Sequence, residues 1–204
     1  MAKKIIGDVD LSKLHLKELP EILKDITVSG HFDCSFNNLT SLVGVPKTVG
    51  ADFDCSYNRL KSLEGTPTYV NGNFDCSNNK LTSLVGAPKS VSGHFDCSNN
   101  KLTTLEGVPQ NVESVDCHNN NLTSLKGSPT STVNGFDCSD NKLTSLVGSP
   151  QNVDNDFNCS YNKLTSLVGA PKTVGGDFYC DDNPVKFTKQ QVRTVCDVEG
   201  DIYV

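Results

Sequence analysis

Eight of the nine cysteines in this chain fall on a fixed beat. Cys34, Cys55, Cys76, Cys97, Cys117, Cys138, Cys159 and Cys180 are separated by 21, 21, 21, 20, 21, 21 and 21 residues. The residues between them return with the cysteines, as in Phe74–His94, FDCSNNKLTSLVGAPKSVSGH. This is an internal repeat, and a unit of about 20 residues cannot bury its own apolar side. Neighbouring units must stack, so the core of the 204 residues is a continuous strip and needs no second domain.

Within each unit, Phe-Asp-Cys-Ser alternates as a strand does, which predicts Phe and Cys inward and Asp and Ser outward. An asparagine then turns the chain, since its side chain can bond backbone groups that an apolar residue cannot. Asn37, Asn58, Asn79, Asn100, Asn120, Asn141 and Asn162 are therefore expected to form a buried, mutually satisfied ladder. The return arm, Leu-Thr-Ser-Leu-x-Gly-x-Pro-x-x-Val, turns its leucines and valine inward. Its Gly and Pro at fixed offsets predict an irregular, polyproline-like arm without helices.

Phe74, Cys76, Asn79 and Leu81 fill the frame L-x-L-x-x-N-x-L, and so do Phe32, Cys34, Asn37 and Leu39 and the units that follow. The last full strand, at Phe178, keeps Cys180 and Asn183 but has Val185 in place of the leucine. In this frame the chain resembles the leucine-rich-repeat superfamily over nearly its whole length. The short unit and the return Leu84-x-Gly86-x-Pro88 look like bacterial effector and phage-encoded members. The resemblance implies a β-rich solenoid with a parallel sheet on its concave face, an irregular convex side and short capping helices. It also implies a scaffold that binds proteins.

Stacked cysteines such as Cys76 and Cys97 would lie on parallel strands about 4.8 Å apart, with side chains parallel. A disulfide needs converging Cβ vectors, so the column reads as buried, reduced thiols acting as small apolar residues. No Cys-x-x-Cys pair suggests zinc, and free thiols imply a reducing compartment. The first residues, MAKKIIGDVDL, lack the apolar segment of a secretory signal, and no run approaches the roughly 18 apolar residues of a membrane span. A soluble, cytoplasmic protein is expected, in the host cytoplasm if the source is viral. A formal charge of −6 and a pI near 5.1 argue against nucleic-acid binding through a basic face.

The expected organisation is an N-terminal capping repeat over 1–31, a solenoid over 32–183 and a C-terminal cap over 184–204. Val9, Leu11, Leu16 and Leu19 align with Phe32, Cys34, Leu39 and Leu42, while Leu14 occupies the asparagine position. Pro20 suits a first helical position, with Ile22, Leu23 and Ile26 covering the open end. At the other end Thr188 and Gln191 form a capping box, and Phe187 and Val192 stand at staple positions. Val192, Val195 and Cys196 share one helical face, and a final strand is expected at Ile202–Val204. The total is ten rungs. One residue is missing between Leu105 and Val115, and the Pro129–Val133 interval reads one longer than its equivalents. Neither change is given a functional meaning.

Asp10, Asp33, Asp54, Asp75, Asp96, Asp116 and Asp137 form a column on the outward side of the strands, continued by Asn158 and Tyr179. Carboxylates about 5 Å apart repel by roughly 1 kcal/mol even in water, so some pKa values should rise. Two readings stand: a solvated by-product of duplication, or an acidic strip that receives a basic protein surface. A flat ladder does not supply the closed oxygen cage that calcium requires, and no metal or cofactor is expected. Among variable positions, Tyr57 stands near one end. Tyr161, Tyr179, Asp156, Asp177 and Asp181 are expected to converge at the other as an interface anchor. Lysines following the turn asparagines read as solvated edges. His15, His31, His94 and His118 are scattered, with no nucleophile-and-base spacing, and Cys196-Asp197 has too little chain around it for the ligase domain of some effectors. The expectation is a non-catalytic binding module of effector or inhibitor type, acting through the acidic face or one end. The alternative is a structural protein that uses the solenoid as a rigid spacer.

Overall fold

A computed structural model describes residues 4–24 and 26–204. Residues 1–3 and 25, which fall in the expected N-terminal cap, lie outside the described residues. The chain winds into a parallel β-solenoid whose front is a ten-stranded sheet. Its rungs run in chain order from Val9–Asp10 through Phe32–Asp33, Phe53–Asp54, Phe74–Asp75, His94–Asp96, Ser114–Asp116, Phe136–Asp137, Phe157–Asn158 and Phe178–Tyr179 to Ile202–Tyr203. Every pairing is parallel and in repeat register, Phe on Phe and Asp on Asp where both occur. This is the ten-rung front that the repeat predicts. Beyond the short strands the ladder continues, because each strand Cys N–H donates to the carbonyl of the outward residue on the next rung, as from Cys34 to Asp54 at 2.8 Å.

The core is a set of columns. Phe32, Phe53, Phe74 and Phe95 stack with centroids 5.2–5.6 Å apart, and Phe136, Phe157 and Phe178 resume the column after Val115. Cys34 to Cys180 and the paired leucines, such as Leu81 and Leu84, are buried beside them. All nine thiols are free and buried. Cys55 donates to the Asp75 carbonyl and Cys117 to that of Asp137, at 3.3 and 3.0 Å, so the column is hydrogen-bonded as well as packed. Burial, followed by the charge of neighbouring groups, pushes these thiols well above the usual range. Cys196, with burial first and Asp197 second, is pushed up to about 11. A protonated, enclosed thiol is a poor nucleophile.

The asparagine ladder closes as expected. Asn79 Nδ2 donates to the carbonyls of Cys55, Cys76 and Ser77 at 3.0–3.2 Å, while Oδ1 accepts from Leu60 N–H at 2.9 Å. Asn58, Asn100, Asn120, Asn141 and Asn162 repeat this set, and Asn37 extends it to Leu11 and Leu16 of the first unit. Leu14 is exposed. The turn changes one expectation: the serine after each cysteine, such as Ser56 or Ser98, is buried rather than outward. Its carbonyl accepts from the same asparagine, and the next residue swings into the left-handed region, with φ of 50–54° from Phe36 to Asp182.

The return arm is more regular than its composition suggests. Thr48–Val49, Tyr69–Val70 and Ser90–Val91 continue a five-stranded rear sheet from Lys4–Ile5 and Thr27–Val28. Ser131–Thr132, Asn152–Val153, Thr173–Val174 and Asp197–Val198 form a four-stranded one. The inward valine brings neighbouring arms close enough to pair for two residues. Both sequence irregularities resolve here. Thr132, not Val133, takes the buried valine place, in register with Val153, and its hydroxyl donates to the Asn134 carbonyl. The Pro129 interval is therefore normal, and Val133 is exposed. The missing residue lies between Val112 and Val115, and there the rear ladder lapses into two sheets. Gly86 (φ +94°) shows how tightly the arms stack: a Cβ there would lie 2.8 Å from the Leu63 carbonyl carbon.

Both ends are covered, with corrections in detail. The N-terminal piece is a single 3-10 turn, Glu21–Leu23, with Pro20 one position before it rather than inside. Leu23 and Ile26 are buried, whereas Ile22 is 73% exposed and covers nothing. At the other end the helix Lys189–Val195 opens on the Thr188/Gln191 capping box, and Phe187 and Val192 are buried at the staple positions. Cys196 is buried, but Val195 points away, 45% exposed.

Removing one ladder side chain by Asn79→Ala strands the Leu60 N–H and leaves the Cys55 carbonyl with Asn58 as its remaining side-chain donor, and urea denaturation is expected to show a loss of about 1–3 kcal/mol. Thiol titration with a chromogenic disulfide is expected to find no fast-reacting group in the native protein and nine after denaturation.

Candidate functional site

The front face carries three parallel rows, set by the strand pleat and the turn. In the middle row the aspartates stack in register, Asp33 on Asp54, Asp54 on Asp75 and so on to Asp137. They are half-buried, not simply solvated. Each turns Oδ1 onto the N–H two residues on: Asp54 to Ser56, Asp75 to Ser77, Asp96 to Ser98 and Asp137 to Ser139 at 2.8 Å, Asp116 to His118 at 3.0 Å. Asn158 makes the same bond to Ser160. The column therefore caps the turn, and an amide serves there as well as a carboxylate.

Burial raises Asp54 to about 6 against the opposing bonds from Ser56, with the charges of Asp75 and Asp33 adding to the rise. Asp75 and Asp96 are also raised, by burial first, with the charge of the next aspartate, Asp96 and Asp116 respectively, adding to it. The expected rise is present, but loss of water outweighs mutual repulsion as its cause.

The row before it, at the residue preceding each Phe, forms a second side-chain ladder that the sequence reading did not recognise. Asp8 Oδ1 accepts from His31 N–H, Asp52 from Asn73, Asn73 from His94, Asp156 from Asp177 and Asp177 from Asp201, at 2.7–2.9 Å. The signal was a column rich in Asp and Asn that carries histidine at 31 and 94 and is interrupted by Ser114 and Gly135. At that break the small side chains leave a notch of about 310 Å³, bordered by His94, Asp116, Asp137, Asp156, Asn158 and Tyr179. His94 and His118, far apart in sequence terms, come to opposite sides of the same carboxylate region. His118 Nδ1 lies 2.7 Å from Asp116 Oδ1. Burial disfavours its charge, but the Asp116 hydrogen bond and the surrounding aspartates together raise its pKa.

The third row holds the left-handed turn residues. Phe36 and Tyr57 stack at 4.2 Å with Lys13 over the Phe36 ring; Tyr161 lies in the same row at the far end. The expected C-terminal convergence is only partial. Tyr179 donates to Asp177 Oδ2 at 3.0 Å and stacks on Tyr203 at 4.6 Å. It borders the notch with Asp156 and a second cleft with Asp181 and Lys189. Tyr161 instead engages Asp182, because its row lies across the turn from the Tyr179 row.

A parallel front sheet at a 21-residue pitch, an asparagine turn and a leucine-lined return arm now stand together. The fold is that of the leucine-rich repeats. YopM from Yersinia enterocolitica WA-314 superposes with a TM-score of 0.64 and 24% identity over 86% of this chain. The leucine-rich repeat domain of APL1B superposes with a TM-score of 0.51 and 17% identity over 95% of the chain. The chain spans 38% of the YopM chain and 83% of the APL1B chain. No family model and no curated protein sequence matches it.

Because the folded pKa of Asp54 lies above its unfolded value, the folded state holds more protons than the unfolded chain between about pH 4 and 6. Stability is therefore expected to rise as pH falls through that window. Asp54→Asn keeps the turn bond and removes the charge. It should stabilise the protein at pH 7 by on the order of 1 kcal/mol after solvent screening and flatten the pH dependence, as read by melting temperature from pH 4 to 7.

Proposed function

We propose that this chain is a non-catalytic protein-binding module that receives a basic surface of its partner along the acidic front face. The observation that carries this reading is the notch at the Ser114–Gly135 break. Three carboxylates, from Asp116, Asp137 and Asp156, border one opening beside the Tyr179 ring. An ammonium or guanidinium group entering there meets charge, an aromatic face and partly dehydrated walls, conditions under which a single side chain can anchor an interface. The column from Asp54 to Asp137 extends the same field over the neighbouring rungs and steers a basic partner toward it. Tyr57, with Phe36, offers a separate aromatic ledge, and Tyr161, Asp177 and Asp181 flank the C-terminal side.

The finer reading is an effector or inhibitor that occupies a functional surface of a host protein in the cytoplasm. It draws support from the repeat's resemblance to effector and phage-type units and from the enclosed thiols, which suit a reducing compartment. Among the described residues no helix is long and apolar enough to cross a membrane.

The test is capture of partners from host extract, with the Asp75→Asn/Asp96→Asn/Asp116→Asn variant alongside. The amides keep the turn bonds, as Asn158 does, and delete only charge. One dominant basic partner is expected, bound one to one, lost by the variant and weakened about tenfold or more between low and physiological salt. A partner retained by the variant would move the site to the aromatic ledge or an end. Self-assembly without any partner would replace this reading with a structural spacer.

A further inference from the structure

The front face carries the same trio of metal-binding residue types twice, in the same register. His31 and Asp33 stand two apart on one strand with Asp54 on the next rung, and His94, Asp96 and Asp116 repeat that placement. Residues two apart on a strand share a face, so each trio has an imidazole and a carboxylate on one rung and a second carboxylate beside them. The sequence cannot separate the two. The structure does. Among the described residues only the second trio brings its candidate ligand atoms together; at the rung after His31 stands Asp52, whose Oδ2 lies 3.1 Å from His31 Nδ1. At the rung after His94 stands Ser114, and its Oγ lies 2.7 Å from His94 Nδ1.

We infer that His94, Asp96 and Asp116 form a binding site for a divalent first-row transition metal ion. Their candidate ligand atoms all lie within 4.8 Å of one another. An ion held at about 2.0–2.2 Å from each needs only small side-chain rotations to draw them in. Ser114 Oγ can accept from His94 Nδ1, and the tautomer that does so has its lone pair on Nε2, the usual outer support of a metal-bound histidine. Asp96 and Asp116 each commit Oδ1 to a backbone N–H. That bond fixes the carboxylate and leaves Oδ2 as the coordinating oxygen. The two strands here are the three-residue ones of the front sheet, with the extra pair His94–Ser114 in register, so the backbone beneath the ligands is held at both ends. His94 and Asp116 also border the notch, which leaves room for the ion's remaining ligands, water or a partner side chain. An imidazole with two carboxylates suits zinc, cobalt or manganese better than calcium, which asks for six to eight oxygens. The half-buried Asp96 carries negative charge with too little water around it, and a cation relieves that.

The site is tested on the whole protein with the metal alone, by calorimetric titration of zinc and by optical titration of cobalt in a non-chelating reductant. One equivalent is expected to bind, with cobalt d–d absorption and no sulfur-to-cobalt charge-transfer band. His94→Asn, which places at this rung the residue that Asn73 supplies one rung earlier, and Asp96→Asn should each weaken binding by at least about tenfold. His31→Asn should leave affinity within about twofold, and circular dichroism confirms that each variant is folded. Equal loss in His31→Asn and His94→Asn would reduce the effect to diffuse attraction by the acidic column and overturn the assignment. Full affinity in His94→Asn, a thiolate band, or no binding at millimolar metal would overturn it too. Running the partner capture in the presence of a chelator makes its outcome independent of this result.

Discussion

The interaction on which this solenoid depends is the side-chain amide of the turn asparagine. A chain that coils with two-residue strands leaves most of its backbone polar groups outside any regular ladder, and here many of them are buried. Each asparagine supplies the missing partners on both sides of a rung boundary. It donates to carbonyls of its own turn and of the preceding turn, and it accepts from the leucine N–H that starts the preceding return arm. Among the described residues no buried side-chain nitrogen or oxygen lacks a partner. The apolar columns of Phe, Cys and Leu supply the hydrophobic stabilisation, but they are non-directional. The amide ladder sets the pitch at which those columns come into contact.

The same economy governs the front face. The aspartate beside each inward cysteine has two duties, capping the turn N–H and presenting charge to solvent. The first needs only an acceptor, which is why Asn158 serves in its unit. The second raises the free energy of the folded state at neutral pH, since burial and stacking disfavour several carboxylates in line. Asp54, Asp75 and Asp96 in place of asparagines are thus a cost to folding, and binding of a cationic partner or ion is a physical means of recovering it. The notch opens where the neighbouring acceptor row is interrupted by Ser114 and Gly135, so the shortened repeat coincides with the group of carboxylates from Asp116, Asp137 and Asp156.

Much of this was legible in the residues. Period 21 and the strand alternation predicted the front sheet rung by rung, and the asparagine positions predicted the buried amide ladder. The capping box at Thr188 and Gln191 predicted the C-terminal helix. What misled were positions where one letter serves two geometries. Ser56 and its equivalents looked outward by alternation but are drawn in, because the turn begins one residue sooner than the pleat implies. Val133 looked like the column valine, yet Thr132 holds the register because its hydroxyl finds a carbonyl. Ile22 and Val195 looked like cap residues on a helical wheel, but a single 3-10 turn and a seven-residue helix offer narrower faces. The rear sheets were missed because Gly and Pro at fixed offsets describe the bends of the return arm and not the straight pair of residues between them.

The sequence by itself determined the period, the inward columns and the identity of every rung. Those properties follow from side-chain polarity and from the need of a short unit to stack. Only the tertiary structure decided which chemically identical groups differ in state. His31 and His94 occupy the same repeat position beside equivalent aspartates, and one lies against Asp52 while the other lies against Ser114. Distances across a rung boundary make that distinction, and residues some 20 positions apart acquire those distances only when the chain has wound.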